Sequence, residues 1–402
     1  MNRPVYFSRP GVICGAGTGC EELWNTCTSG SQSGMKKIQA VSGKEFYICR
    51  IDDKKLLKTG ARFDMRLVRI ADAALNQINE EIEAVIAKYG KKRIAVCVGS
   101  CDNGTELSMK GHKEYLSAGE FPADYSLEMQ GADYPATFIS EKYGLEGPSL
   151  AFSTACSSSA GAIIKAAELI GSGLADAVIV GGVDIVSDTV LLGFDSLEAV
   201  SPDITNPFSV NRHGITLGEG AAFFVMTGNV SSDCGAVQLL GYGESADAYH
   251  MTSPDPEGIC PEKAMRNALS GAGLSAGDVD YINLHGTGTK FNDSMEANAV
   301  DDVFKGLSTP VSTTKSLTGH TLGAAGALEA AVCWTAIMEN RNKPAAEISL
   351  PVQVWNGQRD PSLPVINIIS KGKPAANRGR VNVCMSNSFA FGGSNISLVL
   401  GV

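Results

Sequence analysis

The feature that most constrains this chain is its alternation of short, apolar, β-branched runs with longer segments of helical pattern. Runs at 93–99, 177–182, 221–226, 237–241, 279–284 and 396–400 are bounded by glycine and rich in valine, isoleucine and leucine. Runs of that length and content read as buried strands. Between them, 66–87, 159–170, 261–272, 294–304 and 324–338 carry helical periodicity. Strands alternating with helices predict an α/β fold whose sheets are layered with helices.

With 402 residues, the chain is too long for one small core and is expected to form a compact body of two halves. The clearest turn-rich break is Thr227-Gly228-Asn229-Val230-Ser231-Ser232-Asp233-Cys234-Gly235. It divides the chain into 1–230 and 231–402. No repeat is visible residue by residue, although a duplication can persist in shape after it has vanished from sequence. A net charge of −10 argues against nonspecific nucleic-acid binding, which needs cations to neutralise phosphates. An acidic protein partner would need a local basic patch. No run reaches the roughly 18 consecutive apolar residues of a membrane span, and the N-terminus lacks the order of a signal peptide. A soluble, cytoplasmic protein is expected. The 11 cysteines are odd in number, scattered and without a C-x-x-C pair, which fits neither a zinc site nor a disulfide framework.

Four segments carry residues suited to chemistry. Ser153-Thr154-Ala155-Cys156-Ser157-Ser158-Ser159-Ala160-Gly161 places Cys156 at a predicted helix start, where unpaired N–H groups and the macrodipole favour a thiolate nucleophile. The same residues also suit a tight turn packed with small side chains. Asn283-Leu284-His285-Gly286-Thr287-Gly288-Thr289 puts a histidine at a strand end before a glycine-rich turn, a placement common to catalytic and to structural histidines. Thr314-Lys315-Ser316-Leu317-Thr318-Gly319-His320-Thr321-Leu322-Gly323-Ala324-Ala325-Gly326 leads into a helix bearing Glu329, and it lacks the order of a phosphate-binding P-loop. Lys315 and Glu329 fit either a buried pair or two solvated side chains. Met385-Ser386-Asn387-Ser388-Phe389-Ala390-Phe391-Gly392-Gly393-Ser394-Asn395 fits a backbone that approaches a ligand, or a plain hairpin turn. The run Gly15-Ala16-Gly17-Thr18-Gly19-Cys20 fails the dinucleotide fingerprint at its last position.

Together, these four segments resemble the elongating β-ketoacyl-acyl-carrier-protein synthases, types I and II, of the thiolase superfamily. Asn206-Pro207-Phe208-Ser209-Val210-Asn211-Arg212-His213-Gly214 and Gly218-Glu219-Gly220-Ala221 are similar to two further motifs of that family. The resemblance spans nearly the whole chain. It implies a thiolase-like fold of two similar βαβαβαββ halves stacked in αβαβα layers. Cys156 then comes from the first half, and His285 and His320 from the second. A Cys-His-His set separates this group from the Cys-His-Asn of initiating synthases and from the second cysteine of thiolases. Segments 245–251 and 389–393 resemble synthases of bacterial aryl-polyene pathways. Two positions depart from the commoner pattern: Ala390 where glycine usually precedes the gating phenylalanine, and His213 where aspartate is usual.

The resemblance implies a decarboxylative condensation between an acyl group on Cys156 and a malonyl unit on acyl carrier protein. The amides of Cys156 and Phe391 are expected to bind the oxyanion, and His285 and His320 the malonyl thioester oxygen. Lys315 and Glu329 are expected to support the histidines. Phe391, Ala390 and Asp102 are expected at the gate and acyl pocket. Arg66 and Arg69 match the family's carrier-docking positions, beside Lys54, Lys55, Lys58 and Arg62. No cofactor is implied for the chemistry beyond the carrier's phosphopantetheine arm. A structural monovalent cation is implied near Asn283, Glu329, Ser386 and Asn387, with no catalytic metal. The implied partner subunit is a second copy or a related synthase-like chain. A noncatalytic chain-length partner would share the fold without the nucleophilic cysteine, and a Cys-His thioester hydrolase would not need the second histidine.

Overall fold

The computed structural model describes residues 3–102, 104–229, 237–371 and 379–402. Most of the expected junction, 230–235, lies outside them. Ten strands build the architecture: β1 (Gly11–Cys14), β2 (Ile94–Gly99), β3 (Ser149–Phe152), β4 (Ala177–Asp184), β5 (Gly220–Thr227), β6 (Gln238–Ala246), β7 (Tyr281–Asn283), β8 (Val311–Ser312), β9 (Val383–Phe389) and β10 (Ser394–Gly401). The first five run β1-β5-β4-β2-β3 across the sheet, and the last five run β6-β10-β9-β7-β8. Numbered within each set, both orders are 1-5-4-2-3. In both sets the first two pairings are antiparallel and the last two parallel. The short strand Tyr6–Phe7 pairs with β5 on one side and β6 on the other, joining the sets into one 12-stranded sheet.

Helices Ser158–Gly171 and Ala325–Asn340 pack between the two sets of strands and touch both. Their position explains their composition. Thirteen of the first 15 residues of Ala325–Asn340 are buried with no polar face left over, as a helix covered on all sides requires. By length and hydropathy Leu322–Asn340 could cross a membrane, but 89% of its most apolar window is buried inside the fold. It is a core helix. Arg66–Leu75 covers the outer face of the first strand set and Ile259–Ala272 that of the second, completing the αβαβα layering.

All six expected strands are present. The expected helix 66–87 is divided at Asn76–Ile78, because the Gln77 amide turns inward to bond the backbone N–H and carbonyl of Val12 at 3.0 and 2.8 Å. Strand β9 was not expected. Its Ser386-Asn387-Ser388 centre interrupts the apolar pattern, yet every residue of the strand is buried.

Candidate active site

Cys156 sits in the single turn Ala155–Ser157, directly before helix Ser158–Gly171. Ala155 has φ +50°, in the left-handed region that side chains disfavour. The turn is held by its serines. Ser158 Oγ donates to the Ala155 carbonyl at 2.6 Å and accepts from the Thr154 N–H at 2.9 Å. Ser157 Oγ donates to Ser394 Oγ at 2.9 Å, which links the turn to the Phe391-Gly392-Gly393 bend.

His285 follows β7, and its turn is gripped from helix Lys290–Val303. The Glu296 carboxylate accepts the N–H of His285 at 2.8 Å and that of Gly286 at 2.7 Å. His320 follows the short helix Lys315–Thr318, and its backbone is strapped to the chain before β5. Its N–H donates to the Thr216 carbonyl at 2.7 Å, while its carbonyl accepts from Gly218 at 3.0 Å. These turns bring His320 Nε2 to 2.9 Å from Cys156 Sγ. The two imidazole rings stand edge to face, with centroids 5.3 Å apart. Lys315 and Glu329 form a buried ion pair behind them.

Burial sets the charges here. It pushes the Cys156 thiol up to about 11, against the downward pull of Lys315 and of the Phe391 N–H. The thiolate expected from the helix start is therefore not the resting form. Burial, reinforced by Lys315, holds both histidines well below their ordinary range. Burial also raises Glu329 and Glu296, each to about 7.

The sulfur and the ring nitrogens lie within 4.8 Å of one another, the spacing of a metal site. Neither histidine Nδ1 has a hydrogen-bond partner among the described residues, whereas metal-bound histidines almost always fix that second nitrogen. The three residues instead line a cavity of about 480 Å³, together with Phe389, Ala390 and Phe391. His213 and Lys290 stand exposed among its lining residues. The buried oxygens Asn283 Oδ1, Ser386 Oγ and Glu329 Oε2 have no hydrogen-bond partner among the described residues, which fits a cation held there. The Asn387 side chain does not share that fit. Its Oδ1 accepts from Ser397 at 2.8 Å, and its Nδ2 faces Glu296 at 3.4 Å.

Three expected residues are placed differently. Asp102 does not line this cavity; its carboxylate accepts from the Gly104 N–H at 2.9 Å and from the Thr105 hydroxyl, holding its own loop and the next helix start. Arg66 turns inward, bonding Glu219 at 2.9 Å, the Ile51 carbonyl at 2.8 Å and Asp53, so it is not a free surface cation. Arg69 is clasped by Asp64 through bonds of 2.9 and 2.8 Å. Lys54 and Lys58 remain exposed nearby, while the exposed Arg62 pairs with Glu128 at 2.5 Å and Glu141 at 3.6 Å.

Family models for the β-ketoacyl synthase N-terminal and C-terminal domains match residues 49–229 and 237–348. The chain belongs to the β-ketoacyl synthase family. It is an acyltransferase of the 3-oxoacyl-[acyl-carrier-protein] synthase type. Nodulation protein E of Rhizobium meliloti is 33% identical over 415 residues, covering 99% of each chain. The 3-oxoacyl-[acyl-carrier-protein] synthase 2 of Coxiella burnetii is 31% identical over 99% of this chain and 98% of its own. Among solved structures, the ketosynthase ApeO in complex with its chain length factor ApeC, from Xenorhabdus doucetiae, matches with a TM-score of 0.89. That match is 37% identical and covers 100% of this chain and 98% of the other.

Sequence reasoning missed Glu296, Asp293 and Arg212 as site-building residues of this synthase. Asp293 accepts from the Gly288 N–H at 3.1 Å and the Phe208 N–H at 2.8 Å, and Arg212 binds Asp360 at 2.6 Å. The available signal was the spacing of Asp293 and Glu296, which sets two acids on one helix face directly after the His285 turn.

Proposed function

We propose that Cys156 carries the acyl group of a decarboxylative condensation and that His285 and His320 stabilise the enolate that attacks it. The observation carrying this reading is the 2.9 Å approach of His320 Nε2 to Cys156 Sγ, with His285 edge-on beside it. In the first half-reaction the thiol passes its proton to His320, and the sulfur attacks the carrier-bound thioester. The negative oxygen is bound by the N–H groups of Cys156 and Phe391, donors fixed before charge develops. The carrier's phosphopantetheine thiol leaves with the proton. In the second, malonyl carrier protein loses carbon dioxide, and its thioester oxygen takes the electrons as an enolate. His285 and His320, kept neutral by burial and by Lys315, each donate one hydrogen bond to that oxygen. The enolate carbon attacks the Cys156 thioester, and the sulfur leaves as a thiolate that takes up a proton from solvent to restore the resting thiol.

Lys315 and Glu329 support the histidines, and Phe391 and Ala390 form the gate. A monovalent cation, held by Asn283, Ser386 and Glu329, would offset the Glu329 charge and brace the strand ends. Because Cys156 and His320 are in contact, a noncatalytic chain-length role fits the chain less well than catalysis. The resemblance of segments 245–251 and 389–393 to aryl-polyene synthases favours that pathway, and the chain is 37% identical to the ketosynthase ApeO. Repeated strand order supports two halves divided at 230/231. The ten described cysteines are all free thiols, as suits a reducing cytoplasm.

For partners, we assign carrier docking to Lys54 and Lys58 rather than to the internally paired Arg62, Arg66 and Arg69. A second thiolase-fold subunit, in the manner of the ketosynthase and chain length factor complexes, would cover the face that includes β3. That strand ends the sheet, and in helix Thr105–Ala118 only Gly111 is buried. The test of the whole reading is to incubate the protein with acyl carrier proteins and read the mass added at Cys156. No transfer with any acyl carrier protein would refute it.

A further inference from the structure

At the end of β4, Asp184 is 1% exposed, and no role has been given to it above. Its carboxylate gathers donors from two turns that flank Cys156. From the loop after β2, Oδ1 accepts from Ser100 Oγ at 3.2 Å, the Cys101 N–H at 3.0 Å and the Asp102 N–H at 2.9 Å, and Oδ2 also faces Cys101 at 3.0 Å. From the other half of the molecule, the Gly323 N–H also acts on it. Gly323 follows His320 by three residues, and a side chain there would press within 2.7 Å of Asp184 Oδ2.

Each turn is one step from the reacting groups. Cys101 Sγ donates to the carbonyl of Ala155 at 3.2 Å, and Ala155 is the residue at φ +50° that presents Cys156. Leu322, between His320 and Gly323, is itself at φ +51°. Two strained turns from opposite halves must therefore meet with sulfur and imidazole 2.9 Å apart, and one carboxylate bonds to the support of the first and packs against Gly323 of the second. Burial and the neighbouring Asp102 push Asp184 up to about 8, while the donors from Cys101, Gly323 and Asp102 pull it down. An acid kept in such a place has a use that an apolar residue would not serve.

We propose that Asp184 is a positioning residue that registers the Cys156 turn against the His320 turn. It rests on the reading of Cys156 as nucleophile, but its test does not require the carrier substrate. Asp184→Asn keeps the shape and turns one acceptor oxygen into an NH2 group that faces backbone N–H donors. Misplacing reacting groups by about 1 Å can cost on the order of 10²-fold.

The experiment measures alkylation of Cys156 by iodoacetamide, read by intact mass, beside acyl transfer and thermal melting. Asp184→Asn is expected to slow alkylation about tenfold and the turnover number about 30–100-fold, with the carrier KM within about twofold of wild type. Asp184→Ala should be at least as slow in both. Should Asp184→Asn not fold, Ser100→Ala decides; it removes one donor and is expected to slow alkylation about threefold. Wild-type alkylation in the folded variant overturns the proposal. If the wild-type protein alkylates normally at Cys156 but accepts no acyl carrier protein, the functional reading fails and the positioning role stands.

Discussion

Cys156, His285 and His320 are 6%, 1% and 2% exposed, and burial disfavours whichever form of each carries charge, so all three rest neutral. A neutral imidazole can accept the thiol proton in one step and donate to an enolate in the next. The division of labour is open to measurement. Cys156→Ala is expected to abolish acyl transfer and condensation while leaving malonyl decarboxylation. His285→Ala and His320→Ala are expected to leave some acylation while lowering decarboxylation about 10²–10³-fold. Intact mass and carbon dioxide release give both quantities. A second residue-scale effect concerns Glu296, which burial raises from 4.5 to about 7. The folded state holds that proton more tightly than the unfolded one, so the group's stabilisation is complete below about 4.5 and is lost as pH rises through 7. Glu296→Gln cannot ionise. Its unfolding free energy should fall less than wild type between about pH 5 and pH 8, by roughly 2–3 kcal/mol in urea titrations.

At the scale of elements, helix Arg66–Leu75 shows how a surface motif can be turned to structural use. Arg66 begins the helix but reaches back to Glu219, which is 0% exposed, and so ties the helix to the loop before β5. Removing one partner of a buried ion pair strands the other charge, at about 3–5 kcal/mol. Arg66→Ala should therefore lower the melting temperature markedly, and any change in carrier affinity would follow from that. Reversal of Lys54 and Lys58 to glutamate should leave melting nearly unchanged. It should raise the carrier KM several-fold and reduce its salt dependence. Equal carrier KM at low salt would remove this surface from consideration.

For the whole molecule, β3 ends the sheet, and the open helix Thr105–Ala118 belongs to the same half of the chain. Leu116 is 83% exposed and Leu127 76%, and Tyr115 stacks on Phe121 with centroids 4.7 Å apart. Exposed apolar side chains and a sheet edge of this kind suit association. Leu116→Glu with Leu127→Glu is expected to shift the protein toward monomer in sedimentation velocity and to reduce condensation. Unchanged sedimentation would place the subunit contact elsewhere.

The strand and helix alternation, and the small-residue turns bearing Cys156, His285 and His320, were legible in the sequence because local backbone geometry and side-chain burial leave periodic traces. Strand β9 was not, since its polar centre breaks the apolar pattern and the partners of Asn387 lie far off in the chain, Ser397 across the sheet on β10 and Glu296 on helix Lys290–Val303. The roles of Asp102 and Arg66 were likewise hidden: a charged residue at a surface-like position reads the same whether it faces solvent or a buried partner 153 residues away. Which charge finds which partner, and whether a thiol at a helix start is ionised, depends on desolvation by segments distant in the chain. Those were decided by the tertiary structure alone, which closes two strand sets of equal order around the two central helices and removes water from the cysteine and both histidines.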